Sequence, residues 1–171
     1  MSRGSGESSE CGGSRGRDDG AFVKPKEGYR KLLAFQAAHE SAKATYALTG
    51  SFPKAEIFGL TSQMRRAAVS VPANIVEGWA LDTTTLFIRH LSISYGSCKE
   101  LEYYIDLANE LGYLTKEDSE EAHKLLGRTA YFVTSLAKSL RAKRAKMGDA
   151  HRKSLDSHYS LDSLHSEMEK L

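Results

Sequence analysis

Apolar residues recur along most of the chain at helical spacing, and no stretch of any length shows the two-residue alternation of a half-buried strand. The densest stretch is Gly59–Gly78, GLTSQMRRAAVSVPANIVEG. Leu60, Met64, Ala67, Val71 and Ile75 step through it by fours and threes, which places them on one side of a helix. Pro72 stands in the middle. It has no N–H for the carbonyl of Ala68 and its ring crowds that carbonyl, so the sequence predicts a bend there, or a break with Pro72 opening a second piece. Ala67, Ala68, Ser70 and Ala73 are small enough to admit another helix closely, and the mixture of apolar, small and polar groups predicts burial on more than one side.

The same periodicity predicts three further helices. The first runs from near Tyr29 to Leu48 with Leu32, Phe35, His39, Ala42, Tyr46 and Thr49 on one face, Gly50 as its cap and Pro53 as a stop. The second, holding Pro72, begins near Lys54 and ends near Trp79. The third runs from Thr84 to Leu111 behind an N-cap at Asp82 or Thr83. Phe87, Leu91, Ser94, Cys98, Leu101, Ile105, Ala108 and Gly112 form its heptad seam, and its length is about 40 Å. Leu86 and Ile93 lie off the seam and, with Tyr95, Tyr103 and Tyr104, make a second surface, open either to a subunit contact or to packing by helices one and four. Gly112 caps this helix. A capping box, Thr115 to Asp118, opens the fourth, which is expected to end near Arg144 with Ala122, Leu125, Thr129, Phe132 or Val133, Leu136 and Leu140 inward. The expectation is an all-α, antiparallel up-down four-helix bundle over 27–146 with a proline-kinked second helix, a disordered tail over 1–26 and a polar, disordered tail over 147–171. His151, His158 and His165 recur every seven residues in the second tail.

Composition narrows the chemistry. The 171 residues suit one domain, and 24 basic against 22 acidic side chains leave a formal charge of +2, so any grip on a polyanion must be local. Two cysteines, Cys11 in a tail and Cys98 in a helix, suggest a buried thiol and an inert one rather than a disulfide or a zinc site. The absence of a signal-like or bilayer-length apolar run predicts a cytoplasmic protein without a membrane partner. Bundles that hold two irons need a Glu-x-x-His on each of two helices. Glu120 and His123 supply one, whereas Gln36 and His39 fail at the first position. His39 reads as a core-edge histidine hydrogen-bonded to a neighbour, or as a metal ligand. Gly78-Trp79-Ala80 lacks the lysine and glycines of a phosphate loop. No enzyme activity, cofactor or metal is expected. The basic run Lys138, Arg141, Lys143, Arg144 and Lys146 suits the dipole of a helix ending there, or a grip on phosphate.

Two longer motifs carry a resemblance. Phe52-Pro53, Glu56, Gly59 to Gln63, Arg65-Arg66, Ala67-Ala68, Ser70, Pro72, Asn74-Ile75 and Glu77-Gly78 form the first; Gly96-Ser97 with Glu100 to Glu102 forms the second. Over about Tyr29 to Arg144 the chain resembles the S23 four-helix-bundle family, the proteins often encoded in intervening sequences of bacterial 23S ribosomal RNA genes. The resemblance implies a homopentamer around a central channel. It also implies kinship with accessory proteins of diversity-generating retroelements, which bind nucleic acid (RNA or DNA) and a reverse transcriptase. The chain departs from many relatives after Gly78: it reads Leu81-Asp82-Thr83-Thr84-Thr85 where they tend to be basic, which disfavours phosphate contact on that surface.

The functional expectation is a non-enzymatic oligomeric scaffold associated with nucleic acid, RNA in the first place. Arg65, Arg66, Arg89, Arg128, Arg141 and Arg144 are the candidate phosphate contacts. Arg65 and Arg66 also have a structural reading, pairing with Glu77 or with backbone carbonyls. Pro72, Asn74, Glu77 and Gly78 are expected to be structural, and Trp79, Ile93, Tyr95 and Tyr103 to face a neighbouring subunit. The alternative is a protein-interaction scaffold without nucleic acid.

Overall fold

The structure is a computed structural model that describes residues 28–158. Four α-helices follow one another: α1 Leu33–Leu48, α2 Leu60–Ala80, α3 Thr84–Glu110 and α4 Lys116–His158, with short 3₁₀ turns at Tyr29–Lys31 and Lys54–Ile57. Consecutive helices pack antiparallel, and α1 and α4 close the bundle. Cross-helix contacts fix the register. Arg65 on α2 meets Thr49 on α1, Ser94 on α3 meets Val71 on α2, and Thr85 and Asp106 on α3 meet Arg144 and His123 on α4. The expected four-helix bundle is what the chain forms.

Local chemistry sets most helix ends. The Glu56 carboxylate accepts from the Leu60 amide at 2.9 Å and so starts α2, six residues later than the Lys54 start that periodicity suggests. The Thr83 hydroxyl accepts from the Leu86 amide and caps α3. Gly112, at φ +74°, ends α3: its amide reaches Asn109 O and the Tyr113 amide reaches Ala108 O at 2.8 Å, the paired bonds of a Schellman motif. At α4 the Thr115 hydroxyl accepts from the Asp118 amide at 3.1 Å and donates to the Asp118 carboxylate at 2.7 Å. The short Asp118 reaches the hydroxyl rather than the Thr115 amide that a glutamate would reach. Gly50 follows α1 without adopting the left-handed conformation; Thr49 occupies the cap position instead.

The stripe Leu60, Met64, Ala67, Val71, Ile75 and the α3 seam from Phe87 to Ala108 are buried as their spacing predicts. The α1 face differs. Ala34, Ala37, Ala38, Ser41, Ala42 and Thr45 point inward, while His39 and Tyr46 are exposed. The small face brings α1 close to its neighbours, and its hydroxyls find partners. Ser41 Oγ and Thr129 Oγ1 lie 2.8 Å apart, and Thr45 donates to the Ser41 carbonyl. α2 runs through Pro72 without a break.

α4 departs most from expectation. It does not end near Arg144 but continues to His158. Arg144 touches Thr85 in the first turn of α3, so the residues beyond carry the helix roughly 20 Å past that turn. Residues 141–150 are all exposed. The expected tail 1–26, and the expected disorder beyond residue 158 with His165, lie outside the described residues. No helix among the described residues is long and apolar enough to cross a membrane.

Candidate nucleic-acid interface

The run Ser70 to Gly78 is the α2 side of a polar seam against α3. Ser70 Oγ lies 2.8 Å from Ser97 Oγ, and Ser94 Oγ donates to the Val71 carbonyl at 2.9 Å. Asn74 donates to the Ser70 carbonyl at 2.9 Å, and its side-chain oxygen lies 3.3 Å from His90 Nδ1. Glu77 Oε2 is 3.6 Å from the same nitrogen. Gly78 makes the close approach possible: a Cβ there would stand 2.6 Å from His90 Cβ and 2.7 Å from Phe87 Cδ2. Pro72, Asn74, Glu77 and Gly78 thus sit in a helix–helix junction. Sequence reasoning placed Ser94 on the α3 seam and Ser97 in the second motif without giving either a partner on α2, and it missed His90.

The six arginines fall into three places. Arg65 on α2 donates through Nε to Thr49 Oγ1 at 2.8 Å and lies 4.9 Å from the Tyr46 ring centroid, while Arg66 donates to Gln63 Oε1 at 2.7 Å. Neither pairs with Glu77. Arg128 forms an ion pair with Glu40 across α4 and α1. Arg89, Arg141 and Arg144 gather at the end of the bundle where α3 begins and α4 leaves it. Arg144 donates to Thr85 Oγ1 at 3.1 Å, Arg89 is exposed one turn on from Thr85, and Arg141 and Arg144 line a 350 Å³ cavity with Ile88 and Ala145. Lys138, Lys143 and Lys146 are exposed around them. Between Glu121 and Asp149 α4 has no acidic residue.

The candidate interface residues divide similarly. Ile93 is 45% and Tyr103 61% exposed; Tyr95, two residues from Ile93, is exposed on the other flank of the helix, and Leu86 lies further toward the start of α3. Neither α1 nor α4 covers them, so packing among the described helices does not account for this surface. Trp79 instead packs half-buried against the core, its ring 5.8 Å from that of Tyr29. Tyr104 is also half-buried; burial and then its bond to Glu100, at 3.1 Å, push its hydroxyl above the usual tyrosine range.

The metal candidates have ordinary partners. His123 Nε2 lies 2.8 Å from Asp106 Oδ1, and the exposed His39 ring stacks on Phe35 rather than sitting hydrogen-bonded at the core edge. No group of three or more metal-binding side chains occurs among the described residues. Cys98 is buried, and desolvation pushes its thiol up to about 12.

Residues 30–135 match the family described as 23S rRNA-intervening sequence protein. Among solved structures, the chain is similar to one from Bacteroides thetaiotaomicron VPI-5482, described as a protein with unknown function from the S23 ribosomal protein family. The TM-score is 0.58 at 24% identity, covering 61% of this chain and 98% of that one; the likeness is one of fold. No curated protein matches the chain.

Proposed function

We propose, from the premise that this chain belongs to the 23S rRNA-intervening sequence protein family, that it is a non-enzymatic oligomeric scaffold which associates with RNA through the basic half of α4. The observation that carries this reading is the length of α4. Were the helix to end near Arg144, its cations would be accounted for by the dipole, which acts within the last turn. The helix runs on to His158, so Lys138, Arg141, Lys143, Arg144 and Lys146 stand well before its end and are left without that explanation. They are exposed, Arg141 and Arg144 lie beside Ile88 one residue before Arg89, and no acid stands on α4 between Glu121 and Asp149. Such a surface suits phosphate contacts, which position a nucleic acid without reading its sequence.

The test is RNA affinity against salt concentration. The logarithmic slope is expected to be steep and to fall by about one for each phosphate contact removed. Arg141→Ala and Lys143→Ala, both exposed, should each lower it with the fold intact. Affinity that does not change with salt would remove the reading.

A second reading, a protein-interaction scaffold without nucleic acid, rests on the uncovered apolar groups Ile93, Tyr95 and Tyr103 of α3. The same groups support self-association, for which the family resemblance suggests five subunits. Complexes that survive nuclease treatment, from a protein whose RNA affinity is nil, would favour the second reading.

A further inference from the structure

A second basic feature lies on another side of the bundle. The first turns of α2 place Thr61, Ser62, Arg65, Arg66 and Val69 along one flank, where Tyr46 of α1 and Ile57 of the preceding turn complete a groove of 580 Å³. That volume is within the range of small-molecule sites. Two guanidinium groups line it and no carboxylate does. The one acid between Lys54 and Arg66 is Glu56, whose oxygens are engaged by the Leu60 amide and by the Tyr113 hydroxyl.

Arg65 is half-buried and held from two sides: Nε–H on Thr49 Oγ1, and the guanidinium over the Tyr46 ring. Its two terminal nitrogens make no hydrogen bond or ion pair among the described residues. Arg66 spends one N–H on Gln63 and has no ion pair there. A partly desolvated cation without a counter-charge is costly, and a fixed guanidinium fork matches the geometry of a phosphate. The remaining walls are apolar: Ile57 and Val69 are each about half exposed beside Tyr46.

We propose that this groove binds one nucleotide unit of a single-stranded nucleic acid, with the phosphate on Arg65 and Arg66 and the base against Tyr46, Ile57 and Val69. Cations beside an aromatic and apolar platform are the means by which single strands are held. A base in a duplex is stacked and not free to enter. The site is separate from the α4 surface and does not depend on it.

The test uses adenosine 5′-monophosphate with the full chain, followed by calorimetry. It should bind saturably and more tightly than inorganic phosphate or adenosine alone. A single-stranded oligonucleotide should displace it and a duplex should not. Arg66→Ala should weaken binding about tenfold, the loss of one charge-assisted contact, with circular dichroism unchanged. Val69→Asp should weaken it as well, and Lys124→Ala, at an exposed cation of α4 outside both surfaces, should not. The proposal is overturned by the absence of saturable binding, by binding that Arg66→Ala and Val69→Asp both leave unchanged, or by N-acetylphenylalanine binding equally well, which would point to a protein ligand. Loss of this site alone leaves salt-dependent RNA binding on α4; loss of the α4 reading alone leaves the mononucleotide bound.

Discussion

Gly78 and Cys98 show how single positions hold the α2–α3 junction. Gly78 is buried where α3 comes closest, and an added methyl would overlap carbon atoms of His90 and Phe87, neither of which can yield without moving its helix. Gly78→Ala should therefore destabilise the bundle by about 1–3 kcal/mol in denaturant unfolding, even though alanine is the better helix former. Cys98 is 1% exposed on the seam of α3. Its thiol titrates near 12 when folded, against an ordinary value of 9.0. The sign follows from which state ionises first. Below pH 9 both states carry a neutral thiol and nothing is lost. Above it the unfolded chain gains a thiolate that the folded one refuses, so stability falls as pH rises toward 12, by about 1.4 kcal/mol per unit. Cys98→Ala should flatten that part of the stability–pH curve, and the native thiol should react with maleimide only as fast as the chain opens.

Among the helices, what could be read in advance depended on whether periodicity alone decided the outcome. The α2 stripe and the α3 seam are regular runs of large apolar residues, and both are buried as their spacing requires. The α1 face was read from spacing alone, and of its members Ala42 and Thr49 are buried while His39 and Tyr46 are exposed. Phe35 and Tyr46 attract attention, yet the helix turns its alanines and hydroxyls inward, where Ser41 meets Thr129. The end of α4 was misread because polar composition was taken as a stop signal. No proline occurs between residues 73 and 171, and alanine, lysine and arginine past Leu140 are good helix formers. The candidate site inherited that error: its cations looked dipole-matched only while the helix was thought to finish among them. Partners across helices, such as His90 for Asn74, have no signature in the sequence at all. α4 also supplies a counterpart to Gly78. Gly127 lies in mid-helix, exposed, with open space where a Cβ would stand. Gly127→Ala should raise stability by about 1 kcal/mol, measured by the denaturation midpoint at unchanged slope.

At the scale of the whole molecule, the described residues leave several large apolar side chains exposed. Phe58 is 93% exposed, Tyr103 61% and Ile93 45%. These residues do not lie on one helix: Phe58 belongs to the turn before α2, Tyr103 and Ile93 to α3. Each square ångström that stays wet forgoes roughly 25 cal/mol, and joining two different surfaces of successive copies recovers it. A contact between unlike surfaces repeats head to tail and closes into a ring when the rotation allows. Self-association into a closed ring is therefore expected, with five copies suggested by the family resemblance. Light scattering or sedimentation should give a mass several times 18.8 kDa at micromolar concentration. Ile93→Asp places a charge in the middle of the exposed α3 strip and touches nothing in the core, so it should lower the mass while helical content stays the same. Trp79→Asp should instead unfold part of the bundle, because Trp79 packs against Tyr29 within its own chain. An unmutated chain that sediments as a monomer would leave the exposed strip to a different protein, and with it the scaffold reading that needs no nucleic acid.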